Sequence, residues 1–313
     1  MVVVLAGGTG GAKLARGMLD AAGPERLTVV ANTADDVDIY GVNVSPDPDL
    51  VTYWLADAID ERGYGIAGDT WEVMGALEAA GRDAWFRLGD RDLAMCLIRT
   101  ELLREGERPT AAHAAVVRAM GVRAAVLPMS DDPVRTFVVS GRRARPFQEF
   151  MILERAEPPI DEVEFRGLET ASPTPEVLGA IAAADAIVIG PSNPVISIEP
   201  ILALPGVRDA LRASAAPVVA VSPFVGGQVV KGPTEPFMEH AGLPLGPAGV
   251  VAAYGEVLDG LVSDEELEGS PVPVHVTDTL MGDASARGRV ASETLDFAAG
   301  LVPEDLSPEA DRL

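Results

Sequence analysis

A doubly wound, Rossmann-like α/β fold with a mostly parallel sheet is what these 313 residues predict, on three grounds. Short β-branched and apolar runs recur, each closing on a polar or glycine-rich turn. Helical segments stand between the runs, and a glycine-rich stretch directly follows the first of them. Continuous apolar runs suit strands covered on both faces, as the strands of a parallel sheet are.

In chain order, strands are expected at 2–6, 27–31, 124–127, 186–189, 218–221 and 274–276. A helix at 13–22 follows the first strand, one at 175–184 opens on a proline, and one at 206–213 follows the next loop. Residues 50–121 break the alternation with successive helical segments and no convincing strand, so they read as a helical insertion in a core made of 1–49 and 122–300. Within it Asp69 and Glu72 form a capping-box pattern, Asp90 stands where it can cap a helix from Arg91, and Leu93, Leu97 and Ile98 recur at core-packing spacing. Alternation around Gly141 in 136–166 predicts antiparallel strands added at an edge, and the acidic, proline-containing end, 301–313, reads as a frayed tail.

Composition narrows the function. The chain has 24 basic and 48 acidic residues, a formal charge of −24, so its field repels phosphate backbones and anionic lipid headgroups. Nucleic acid and membranes are therefore not expected as partners. No apolar stretch is long enough to span a bilayer, and the opening residues lack a basic leader, which makes the cytoplasm the expected location. One cysteine, Cys96, and three scattered histidines leave no thiolate or imidazole ligand set. A metal here would be a hard cation on carboxylates, which points to magnesium.

The chemistry gathers at expected strand ends. Gly7-Gly8-Thr9-Gly10-Gly11-Ala12-Lys13 lies between a strand and a helix, where backbone N–H groups face an anion, although it matches neither the Walker pattern nor the three-glycine dinucleotide pattern. Only two of the 24 basic residues are lysines, Lys13 and Lys231, and both sit in glycine-containing strand-end segments. A lysine is a compact point charge suited to a phosphate. After the second strand come Asn32-Thr33-Ala34-Asp35-Asp36 and Ser45-Pro46-Asp47-Pro48-Asp49, carboxylates able to hold magnesium, bind a ribose hydroxyl or take a proton from an alcohol. Ser192 and Asn193, in Gly190-Pro191-Ser192-Asn193-Pro194, offer neutral donors and acceptors to a nucleotide or phosphate.

With Leu88-Gly89-Asp90-Arg91-Asp92, Pro128-Met129-Ser130-Asp131-Asp132, Phe147-Gln148-Glu149 and Asp278-Thr279-Leu280-Met281, these segments resemble in order the 2-phospho-L-lactate transferase family of coenzyme F-420 biosynthesis, including its phosphoenolpyruvate-using bacterial members. The resemblance implies transfer of a phospholactyl or phosphoenolpyruvyl group from its guanosine diphosphate adduct to the ribityl hydroxyl of the deazaflavin precursor Fo, releasing GMP, with magnesium and in a homodimer. It also implies that Asp49 and Arg87 bind the acceptor, so that the insertion contributes to the acceptor site; the family often has lysine at the second position. On this reading Gly8, Thr9, Gly10, Gly11 and Lys13, with Ser192 and Asn193, hold the donor, and Asp36 or Asp49 binds magnesium or deprotonates the attacking hydroxyl. Two other readings compete: a non-catalytic, nucleotide-sugar-binding regulator with the same fold, and a dehydrogenase using NAD, against which the missing third glycine argues.

Overall fold

The computed structural model describes residues 1–302, so the expected tail lies, from 303 onward, outside the described residues. Seven strands form one sheet: β1 (Val2–Ala6), β2 (Leu27–Ala31), β3 (Ala125–Pro128), β4 (Ala186–Ile189), β5 (Val218–Val221), β6 (Gly260–Ser263) and β7 (Val274–Val276). Their order is β7-β6-β5-β4-β1-β2-β3 and every pairing is parallel. Strand order therefore reverses beside β1, which pairs Val2 with Leu27 on one side and with Ala186 on the other. At such a reversal the loops leaving adjacent strands diverge and open a crevice.

Successive side chains of β1 point to opposite faces. Val3 and Leu5 join Ile187, Ile189 and Ala220 against Ile181, Leu211 and Val250 of the helices Pro175–Ala182, Val207–Ala213 and Pro247–Tyr254. Val2, Val4 and Ala6 join Val29 and Val188 against Leu14, Val51 and Val290 of the helices Gly8–Ala22, Pro46–Leu55 and Ala284–Gly300. Both faces are covered, which is why these strands are uninterrupted apolar runs. The helix Pro46–Leu55 crosses the 49/50 division, and its Val51, Trp54 and Leu55 pack in the sheet's core.

Four features differ from expectation. Strand β6 was not foreseen, because only Leu261 and Val262 stand between Gly260 and Ser263, too short a run to register. A hairpin of Val37–Ile39 and Val42–Val44 precedes the helical segments, turning through Tyr40 and Gly41, both at positive φ (53° and 81°) as a tight hairpin turn demands. The antiparallel strands Arg143–Pro146, Arg135–Ser140 and Glu162–Arg166 form a separate sheet and do not extend the central one. Lastly, Leu97 is 52% exposed, and the helix Asp90–Arg104 buries Cys96, Arg99 and Thr100.

The two capping aspartates exchange partners. Asp90 accepts from the N–H groups of Glu72 and Val73 at the start of the helix Glu72–Ala79, while Asp69 accepts from those of Arg91 and Asp92 at the start of Asp90–Arg104. Each helix is thus capped by the residue expected to cap the other, which ties their N-termini together. Around them Ile39, Val44, Met74, Phe86, Leu88 and Cys96 make a small separate core.

Candidate functional site

The loops leaving β1, β4, β5 and β7 converge on a cleft of about 370 Å³ at the carboxyl ends of the strands. Most of the glycine stretch is helix here, since the helix starts at Gly8 and not near Lys13. Glycine inside a helix is normally unfavourable. A Cβ on Gly10 would stand 2.0 Å from the Pro191 carbonyl oxygen, so the first loop needs glycine to lie against the fourth. Gly8 has φ +66°, a left-handed conformation that favours glycine, and nothing but open space beside it.

A helix's first-turn N–H groups lack carbonyl partners in the helix. That of Gly8 donates to Asp47 Oδ1 at 2.7 Å, and Thr9 and Gly10 line the cleft. Lys13, one turn on, donates to the Met281 carbonyl at 3.3 Å and stands over Trp54. Lys231 reaches the same cleft from the segment after the strand Gln228–Val229. The chain's two lysines thus meet. Burial, and then the charge of Arg287, holds Lys13 below the usual lysine range, while burial and then the charge of Lys13 do the same to Lys231.

Asp35 and Asp47 line the same cleft. Asp47 also accepts from Asn32 Nδ2 at 3.0 Å, yet burial outweighs its hydrogen bonds and pushes it up to about 6. Burial, followed by the charge of Asp47, drives Asp35 well above the usual carboxylate range. Three buried polar atoms on the cleft have no hydrogen-bond partner among the described residues: Asp35 Oδ1, Asn193 Nδ2 and Thr279 Oγ1. Buried polar groups are seldom left unpaired, so these are candidate positions for contact with a ligand. Asn193 Oδ1 accepts from Val195 and Ile196 at the head of the π-helical turn Pro194–Ile198, which turns its amide the other way.

Of the residues expected to act, Gly8, Thr9, Gly10, Lys13, Ser192 and Asn193 line the cleft, and Gly11 packs beside it against Ser192. Asp36 and Asp49 do not. Asp36 accepts from Ser45 Oγ at 2.7 Å in a separate cavity of about 100 Å³ with Thr33, Arg99, His113 and Arg135, and burial pushes it up to about 7. Asp49 is buried, both carboxylate oxygens held by Arg99 at 2.6 and 2.8 Å. Arg87 is on the outer surface, bonded to Glu78 at 2.7 Å and stacked over Trp71, so the structure does not bring it together with Asp49. Asp35, Asp47 and Thr279, none of them among the expected site residues, line the cleft. The missing signal was phase: the exit from β2 sends Asp35 and Asp36 to different cavities, and Asp47 and Asp49 point apart on a first helical turn.

A magnesium ion is commonly held by one or two carboxylates and the substrate's own phosphates. Asp35, whose Oδ1 has no partner among the described residues and which lines the cleft with the helix end, fits that arrangement. Among the described residues the cluster of Asp49, Asp92 and Cys96 does not, because Arg99 occupies its carboxylate and burial pushes its thiol up.

Over residues 2–280 the chain matches the model of the family described as 2-phospho-L-lactate transferase CofD. The chain belongs to that family. It is 38% identical over 312 residues to a phosphoenolpyruvate transferase of Kitasatospora aureofaciens, covering 95% of this chain and 97% of the relative. A 2-phospho-L-lactate transferase of Haloarcula marismortui is 41% identical, with 93% and 96% covered, and one of Methanothermobacter thermautotrophicus is 42% identical, with 85% of each covered. In fold the chain resembles a UPF0052 family member from Bacillus halodurans, at a TM-score of 0.61 and 18% identity, covering 94% of this chain and 98% of that one. The family expected from the sequence motifs and the transferase activity it carries are both borne out, and the regulator reading is not favoured. No helix among the described residues is long and apolar enough to cross a membrane.

Proposed function

We propose that the cleft transfers a 2-phospholactyl or phosphoenolpyruvyl group from its guanosine diphosphate adduct to the terminal ribityl hydroxyl of the deazaflavin precursor Fo, releasing GMP. One observation carries this reading: the only two lysines of a chain of charge −24 meet at a glycine-rich helix end, facing two carboxylates. That is a phosphate site with a base beside it.

In the reaction the hydroxyl oxygen forms a bond to the phosphorus bearing the organic acid, and the bond from that phosphorus to the bridging oxygen breaks, leaving GMP. Such transfers depend on positioning and charge stabilisation more than on covalent help. Thr9 and Gly10 N–H groups and the Lys13 ammonium hold the diphosphate and take up the charge of the departing phosphate. Asp47, at about 6, is ionised near neutral pH and receives the hydroxyl proton. Asp35 would hold magnesium, which when bound neutralises diphosphate charge. Asn193 and Thr279 give their free polar atoms to the donor. The apolar side of the cleft, with Phe147, Met151, Val229 and Leu280, suits a planar ring. Family resemblance supports a homodimer working in the cytoplasm.

The test is to mix the protein with magnesium, Fo and each guanylylated acid and follow GMP release and product mass. A deazaflavin heavier by one phospho-acid group supports the proposal and identifies the donor. No product with any donor, alongside tight binding of a nucleotide sugar, overturns it in favour of the regulator.

A further inference from the structure

Residues 60–65 form a tight loop of the segment between β2 and β3. It is closed by an antiparallel bridge of Ile59 with Ile66 and by bonds from Asp60 N to Gly65 O and from Gly63 N to Asp60 O. This loop arches over the cleft mouth, for a Cβ on Gly63 would lie 3.1 Å from Lys231 Nζ and 3.7 Å from Thr9 Cγ2. Lys231 Nζ donates to the Arg62 carbonyl at 3.1 Å, and the ammonium lies 5.4 Å from the centre of the Tyr64 ring. Arg62 in turn stacks on Tyr64 and Trp71. Nothing in the core requires this contact: Tyr64 is 55% exposed, and both partners come from loops.

A lysine has three N–H donors. One is used on Arg62, leaving the others for the cleft that Lys231 lines beside Lys13. Two like charges held together in a partly buried place repel, and the repulsion is relieved by an anion between them. The loop's carbonyl and ring supply the attraction that keeps the second lysine in position meanwhile.

We propose that Lys231 is a second phosphate-binding cation of the donor site, held in place by the Arg62 carbonyl and the Tyr64 ring, so that the roof of the cleft and its phosphate site act as one unit. The proposal rests on the donor-site reading above. It assigns Lys231 direct contact with the donor diphosphate and makes Tyr64 a positioning residue that acts through Lys231.

The experiment is calorimetric titration of the full chain with GDP in the presence of magnesium, for wild type, Lys231→Gln, Tyr64→Ala, Tyr64→Phe and the double variant Lys231→Gln with Tyr64→Ala. Lys231→Gln is expected to weaken GDP about tenfold, the loss of one charge-assisted bond. Tyr64→Ala is expected to weaken it about threefold, with Tyr64→Phe, which keeps the ring face, retaining more affinity than alanine. In the double variant Tyr64→Ala adds no further loss, because the lysine through which it acts is gone. Additive losses, or equal affinity of wild type and Lys231→Gln, overturn the proposal and leave the donor site standing. Failure of wild type to bind GDP at all overturns the donor-site reading itself.

Discussion

Two aspartate pairs leave the same stretch of chain and meet opposite fates. Asp35 and Asp47 line the cleft that both lysines also line, and among the described residues one of their oxygens has no partner. Asp36 lines a smaller cavity and accepts from Ser45, while Asp49 is buried with both oxygens held by Arg99. In the first pair Asp35 Oδ1 is left without a partner among the described residues; in the second Asp49 is matched by Arg99, which ties the helix Pro46–Leu55 to the helix Asp90–Arg104. Motif alone thus does not separate the two pairs; which cavity each side chain enters does.

The sharpest way to break this contrast is Asp47→Asn, which keeps an acceptor for Gly8 N–H and removes the base. Turnover measured as GMP release should fall by about 10²- to 10⁴-fold with the circular dichroism spectrum unchanged. Wild-type turnover would show that the cleft pair is not the reacting one. Conversely, Arg99→Ala leaves Asp49 buried and unpaired, so urea unfolding should report a loss of about 3–5 kcal/mol, with kcat per folded molecule little changed. A stable but inactive Arg99→Ala would reverse the two assignments.

The region around Asp49 also contributes to the pH response, beside Asp35, Asp36 and Asp47, which burial shifts upward as well. Burial and the Asp49 charge push Asp92 up to about 7, so between about 4 and 7 the folded state binds more protons there than the unfolded state, and stability falls as pH rises. His113 is pressed down to about 4 by burial, so between about 4 and 6.5 the unfolded state binds more protons, and its contribution is lost as pH falls. Thermal melts from pH 4.5 to 8 should show a shallower decline with rising pH in Asp92→Asn, which still accepts from the Tyr53 hydroxyl, and a steeper one in His113→Gln, each by about 1–2 kcal/mol across the window. Equal slopes in all three proteins would mean neither group titrates as its surroundings require. Smallest is the exchange of caps: Asp69→Ala and Asp90→Ala should each cost about 1 kcal/mol, and hydrogen exchange should rise at residues 91–92 in the first variant and 72–73 in the second.

How much was legible follows from where the information sits. Five of the sheet's strands and the loops around Gly8 to Lys13, Ser192 and Thr279 follow from apolar runs ending in polar turns, because burial on both faces writes itself into composition. Strand β3 shifts by one residue, and β6, with two apolar residues, writes almost nothing. Side-chain direction was the larger loss. Asp35 and Asp36 are equal as letters, and only the backbone's course through residues 33–36 decides which meets the cleft. Arg99 was invisible for a related reason: a buried arginine on a helix disrupts the apolar stripe by which a buried face is recognised, and its partner is 50 residues away.

The position of β1 in the middle of the sheet has a consequence for how the molecule is born. Val2 pairs with Ala186, and Gly7 N–H meets Ser192 Oγ 185 residues later in the chain. At ribosomal speeds of about 5–20 residues per second, one edge of the first strand waits about 10–40 s for its neighbour, an apolar ribbon open to any passing strand. The nascent chain therefore depends on early cover from the helices Gly8–Ala22 and Pro46–Leu55, which are made before that partner exists. On the donor-site proposal, nucleotide capture should be the last property the emerging polypeptide acquires, and in a pulse-chase it should date the moment when folding is complete.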